Sequence, residues 1–173
     1  MKNLKILWIM IIFILSFEFF LPKKNIYYAL EHIAKTNHIN VNENNLKDNP
    51  LSLDIENANI FYRDILLGHF KNANFKLFGF YNELLITNIS FENSFAKFIP
   101  KNIKYSKISY SIINPKLIKI YSTGNFGELN ASLNIFTKKI NIKLKLAKNY
   151  NKTYSFLKYM KYKKGDYFYE YKL

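Results

Sequence analysis

Three histidines, twelve acidic side chains and no cysteine bound the chemistry open to this 173-residue chain. His32 and His38 lie near each other with Glu31 beside the first, but sequence neighbours point apart on a helix, and His69 is remote. No ligand set with metal-binding spacing results. The absence of Cys removes thiolate zinc sites, iron–sulfur clusters, cysteine nucleophiles and disulfide frameworks together. No G-x-S-x-G elbow, H-E-x-x-H helix, P-loop or dinucleotide fingerprint occurs. Glu128 and the other carboxylates stand isolated among strand-like residues, so their spacing proposes no acid/base pair. Gly124 and Gly127 form a G-x-x-G segment that reads as a strand-to-strand turn rather than a phosphate cradle. The expectation is a non-enzymatic protein with no metal and no cofactor.

The elements that carry these residues follow from composition and period. With 49% hydrophobic and 18% aromatic residues, and only 5 Gly and 4 Pro, the chain can build a core of its own. Charge is unevenly spread. Residues 1–100 carry 10 basic and 9 acidic side chains, whereas residues 101–173 carry 16 lysines and 3 acids. Such asymmetry suits an anionic partner, although a lysine- and asparagine-rich vocabulary also fills ordinary solvated faces.

The first 24 residues read as a membrane anchor. Ile6 to Phe17 is an uncharged run of twelve, and Leu4 to Leu21 would span about 27 Å as a helix, against a hydrocarbon core of about 30 Å. Ile6, Trp8, Ile11, Phe13, Leu15, Phe19 and Leu21 are the anchoring side chains. Lys5 and Glu18 lie close enough to the ends to reach headgroups. No pair of small residues stands at signal-peptidase spacing after Ser16, so the segment reads as an uncleaved anchor rather than a cleaved signal peptide. A very short leading tail stays in the cytoplasm, which places the bulk of the chain outside the inner membrane.

Residues 25–39 read as a short amphipathic helix whose stripe is Ile26, Tyr27, Leu30, Ile33 and Ala34, set to cap a sheet or lie on a membrane surface. Asn40 to Pro50 is polar and rich in turn formers. The period then becomes two: Leu51, Leu53 and Ile55 alternate with Ser52, Asp54 and Glu56, and Ala58, Ile60 and Tyr62 follow. Similar segments recur about every ten residues, separated by Gly, Asn or Pro. The reading is mainly β: a curled antiparallel meander over residues 40–173 with one apolar face. Its clearest strand puts Ile140, Ile142, Leu144 and Leu146 on one face, and Lys139, Asn141, Lys143 and Lys145 on the other. That apolar face must be covered by protein or by an apolar ligand such as acyl chains. Near the end, a helical turn around Phe156 to Met160 precedes a hairpin centred on Lys164-Gly165. Tyrosines and lysines interleave there, but without arginine or any nucleic-acid-binding pattern, so no nucleic acid partner is expected.

This layout resembles the type II secretion system protein N (GspN) family, within the wider AsmA-like group of inner-membrane-anchored periplasmic β proteins. The likeness rests on LPKKNIYYALE after the anchor, LSLDIENANIFY with its central Asn turn, STGNFGELNASLNIFTKKINIKL, and the closing GDYFYEYKL. Gly124, Phe126 and Gly127 match the family-like turn. The resemblance implies an accessory protein of an envelope-spanning secretion machine, with envelope proteins as partners. It also implies a second role, binding or transfer of phospholipid on an apolar groove. Sequons occur at Asn88, Asn130 and Asn151, and only Asn130 has the upstream acid, Glu128, of the extended bacterial N-glycosylation acceptor.

Overall fold

In the computed structural model the described residues are 2–95, 98–148 and 155–173. Two helices, α1 (Lys2–Phe19) and α2 (Lys23–Thr36), lead into the strands. These are β1 (Ile39–Asn49), β2 (Ser52–Tyr62), β3 (Ile65–Phe78), β4 (Tyr81–Phe91) and β5 (Asn102–Ser111). They continue with β6 (Leu117–Gly124), β7 (Gly127–Asn134), β8 (Lys139–Leu146), β9 (Lys161–Lys163) and β10 (Asp166–Lys172). All ten pair antiparallel in one sheet in the order β1-β2-β3-β4-β5-β6-β7-β8-β10-β9. The fold is mainly β, as the period-two segments require, and it is an open sheet with β1 and β9 as its edges.

The polar run from Asn40 to Pro50 is a strand rather than a connection. Its backbone is paired along the whole of β2, from Ile39 opposite Tyr62 to Asn49 opposite Ser52. As an edge it needs only a few inward side chains, and Val41 and Leu46 supply them. Asn42, Asn44 and Asn45 face water, where they discourage a further strand from adding. At the other edge β9 is three residues long and carries two lysines, Lys161 and Lys163, to the same effect.

The inward positions change parity partway along the first strands. On β2 they are Leu53 and Ile55, then Ala58 and Ile60; on β3 Phe70, then Ala73 and Phe75; on β4 Leu84 and Ile86, then Ile89 and Phe91. Between the two sets lie Asn57 and Asn88, with φ of 50° and 54°. A residue in the left-handed region turns the alternation by one position, and asparagine tolerates it better than most side chains. The flanking pairs place Asn44, Asn57, Lys71, Asn88 and Lys104 in one line across five strands. The Asn-centred break legible in LSLDIENANIFY is therefore one point on a seam that crosses half the sheet.

Two clusters cover parts of the apolar face. Tyr27 of α2 packs over Leu53, Ile55, Ala58, Phe70, Ala73 and Ile89. Leu157, in the short helix Ser155–Tyr159, closes over Phe126 and Leu144. Ile103 touches both clusters. Between them Ser106 and Ser122 bury their hydroxyls against each other at 2.8 Å, a polar pair that satisfies itself.

The G-x-F-G turn is sterically fixed. Gly127 has φ of 117°, and a β-carbon there would lie 2.1 Å from the Lys145 carbonyl oxygen. At Gly124 it would lie 2.6 Å from the Asn102 carbonyl oxygen. Phe126 between them is buried in the second cluster. In the β9–β10 hairpin Lys164 and Gly165 both have positive φ, 51° and 90°, the geometry of a type I′ turn, but a β-carbon at Gly165 meets open space. Gly127→Ala is therefore expected to cost about 3 kcal/mol or more and Gly165→Ala about 1 kcal/mol. Urea unfolding of the two variants checks the ordering, and equal losses would mean that the close approach at Gly127 relaxes freely.

Candidate functional site

Among the described residues no group of three or more His, Asp or Glu side chains could hold a metal ion. The features with binding character are α1, the outer side of α2 and the two faces of the sheet.

On α1 the anchor side chains Ile6, Trp8, Ile11, Phe13 and Phe19 are exposed, and Leu21 beyond the helix end is half-buried. The side chain of Leu15 lies outside the described residues. From Leu4 to Phe13 every residue of the helix is exposed, including nine large apolar side chains. Among the described residues, no helix is long and apolar enough to cross a membrane. The 18 residues of α1 include Lys2, Lys5 and Glu18, which leave only the uncharged run between them.

The second helix docks differently from its expected stripe. Tyr27 turns inward and its hydroxyl donates to the Glu43 carboxylate on β1 at 3.1 Å. One turn earlier Lys23 is buried, its Nζ donating to the Leu21 carbonyl at 3.2 Å. Of the stripe expected to cap a sheet or lie on a membrane surface, Tyr27 is buried and Ile26 and Ala34 are half-buried, whereas Leu30 and Ile33 face outward with Tyr28. Burial, and then the neighbouring Glu43 charge and its hydrogen bond, push the Tyr27 phenol well above its usual range.

The candidate apolar face lies on the side of the sheet that the two clusters occupy. Leu144 is 1% exposed beneath Leu157, while Ile140, Ile142 and Leu146 are half-buried. The registers extend this strand into apolar rows across the sheet: Leu53, Phe75, Leu84, Ile108, Ile120, Ala131, Ile142 and Tyr169 lie on one line. Ile108, Ile118, Ile120, Leu133, Ile140 and Ile142 are half-buried and belong to neither core cluster. The apolar face is thus plugged near its two ends and thinly covered between them.

The opposite face holds a feature the sequence did not disclose. A trough of about 750 Å³ runs over β5 to β8 and β10, with Lys107, Lys119 and Lys143 beside Tyr121 and Phe168. These residues are far apart in sequence, and only the strand register aligns Lys107, Tyr121, Asn130, Lys143 and Phe168 in one row. Part of the lysine charge is spent locally. Lys143 pairs with Asp166 at 3.0 Å and Lys139 with Glu170 at 2.7 Å, and Lys107 approaches Glu83 at 3.8 Å. Glu83 also accepts from the Tyr81 hydroxyl at 2.9 Å, and desolvation with that bond raises the Tyr81 phenol. Asn130 is exposed within this row, its backbone held between β6 and β8. Asn88 lies on the seam, and the sequon at Asn151 falls outside the described residues.

Tyr27→Phe keeps the ring and removes the bond to Glu43, so a loss of about 1 kcal/mol is expected near neutral pH. The sign of the pH effect follows from the raised phenol. Its stabilising contribution is complete below the unfolded pKa of about 10 and is lost as pH rises from there toward the folded value. The stability difference between the natural chain and the variant should therefore shrink from about pH 10 upward. Denaturant titrations across that range check this, and a constant difference would argue against a buried phenol bonded to Glu43.

No family model matches the chain, and no curated protein or solved structure matches it either.

Proposed function

We propose that the chain is a non-enzymatic accessory protein held in the bacterial inner membrane by α1. Its sheet lies in the periplasm and serves as a scaffold for a type II secretion-like or envelope-assembly machine. The observation that carries this reading is the surface of α1, where nine large apolar side chains between Leu4 and Phe13 are exposed on all sides. A helix apolar all round is stable out of water, against lipid or protein. Its uncharged stretch, Ile6 to Phe17, covers about 18 Å, less than the usual core of about 30 Å. As a single-pass anchor it requires Lys5 and Glu18 to extend to the headgroups and the bilayer to thin locally. The outward Leu30 and Ile33 of α2 fit a helix resting at the same interface. The resemblance of the anchor junction and of the Gly124–Gly127 turn to GspN-type proteins supports an accessory role.

A second reading, an AsmA-like segment that holds phospholipid acyl chains, is favoured by the half-buried Ile108, Ile118, Ile120, Leu133, Ile140 and Ile142 between the two plugs.

An alkaline phosphatase fused after Leu173 is expected to be active, and the fusion to stay with membranes through alkaline carbonate extraction. An inactive fusion, or release into the supernatant, would overturn the anchored, periplasmic arrangement. Native mass spectrometry of the full chain released from nanodiscs separates the two roles. The scaffold reading expects the same lipid content in the natural chain and in Ile120→Asp/Ile142→Asp. Phospholipid bound at fixed stoichiometry and lost in that variant would select the lipid-binding reading.

A further inference from the structure

Alternate hairpins of a meander emerge at the same end of the sheet, so the β1–β2, β3–β4, β5–β6 and β7–β8 turns form one rim. Turns at a water-facing end are ordinarily polar. Each of these four instead presents large apolar side chains: Leu51, Phe80, Ile112 with Ile113, and Ile135 with Phe136, all exposed. Ile113 is 87% and Phe136 70% exposed.

The rim is built rather than frayed. The Ile112 N–H donates to the Phe80 carbonyl at 3.1 Å and the Ile135 N–H to the Lys116 carbonyl at 2.9 Å, which ties the last three turns to one another. Within the turns, Ser111 Oγ accepts from the Ile113 N–H at 3.2 Å, and Asn134 Oδ1 accepts from the N–H groups of Phe136 and Thr137 at 3.1 and 3.0 Å. These bonds hold Ile113 and Phe136 outward. The charges among the tips have one sign. The connecting residues include Lys116 and Lys138, and no carboxylate side chain stands in any of the four turns. At the opposite end the connections mix signs, with Arg63 beside Asp64 and Glu92 near Lys101.

We propose that this rim is a second membrane contact, separate from α1, which inserts its apolar tips into the headgroup region of an anionic phospholipid bilayer. Exposed Ile and Phe supply the partition energy, and Lys116 and Lys138 supply attraction to acidic headgroups. A lipid surface needs positive charge beside apolar tips, and Lys116 and Lys138 supply it at the two turns where Ile113 and Phe136 stand out furthest. The inference goes beyond the proposed function and does not rest on α1 crossing the bilayer.

The cysteine-free chain permits a direct test. Ile113→Cys, Phe136→Cys and, at the opposite end, the exposed Asn125→Cys are each labelled with an environment-sensitive fluorophore in the full-length protein. The labelled chains are added to phosphatidylcholine vesicles with and without phosphatidylglycerol. At positions 113 and 136 the emission should shift to the blue and be quenched by doxyl-labelled lipid on the anionic vesicles, while the label at 125 stays aqueous. Lys116→Glu/Lys138→Glu should weaken that immersion by at least about tenfold. Aqueous labels at 113 and 136 on anionic vesicles would overturn the proposal. A blue shift present without vesicles, or one insensitive to doxyl lipid, would also overturn it, in favour of a protein interface. Co-flotation with neutral vesicles reports on α1 by itself, so failure of the anchor and failure of the rim are distinguishable.

Discussion

Among the described residues each strand from β1 to β8 hydrogen-bonds to its chain neighbours, and the order departs from the sequence at the end, where β10 rather than β9 lies beside β8. This ladder satisfies the backbone but leaves a broad sheet with one apolar side and little other chain to put over it. A sheet face of that kind is unstable in water unless something excludes solvent from it. The remaining features answer that demand locally. Tyr27 of α2 covers the Leu53–Ala58 region, Leu157 covers Phe126 and Leu144, and the seam of Asn57 and Asn88 keeps the inward side apolar on both halves of the long strands. Burial is complete beneath each plug, with Leu53 at 0% exposed, and only partial between them.

The same demand shapes the polar side. A face of lysines would repel itself, and the acids of β10 relieve part of that repulsion by pairing Asp166 with Lys143 and Glu170 with Lys139. Such exposed pairs are worth little individually. Their larger effect is to leave the last strand in a register that completes the row from Lys107 to Phe168. These two pairs engage two of the 16 lysines of residues 101–173, and the net positive excess of that half is left to solvent or to a partner.

Much of the architecture was legible because the period of two survives in nearly every strand. The face of Ile140, Ile142, Leu144 and Leu146 could be read directly, and the turn glycines marked their own positions. What escaped had specific causes. The β1 strand hid behind Asn-rich composition, since an edge strand needs only Val41 and Leu46 to point inward. The inward Tyr27 of α2 bonds to Glu43, sixteen residues away, a contact that no helical period can express. The trough and the rows of the apolar face depend on register across five or more strands. Apolar residues sat beside turn formers in NPLS and INPK, where they could be read only as strand ends until the turns were seen to share one end of the sheet.

Nearest-neighbour pairing has a consequence for how such a chain changes length. Because the strands up to β8 meet only those next to them in sequence, adding or deleting one hairpin leaves every other strand pair untouched. The sheet behaves as a one-dimensional array, closed by a short lysine-bearing strand at one edge and a helix-backed asparagine strand at the other. The array can therefore be lengthened or shortened between its end pieces, and folding can spread from whichever hairpin forms first, through contacts that are local in the chain.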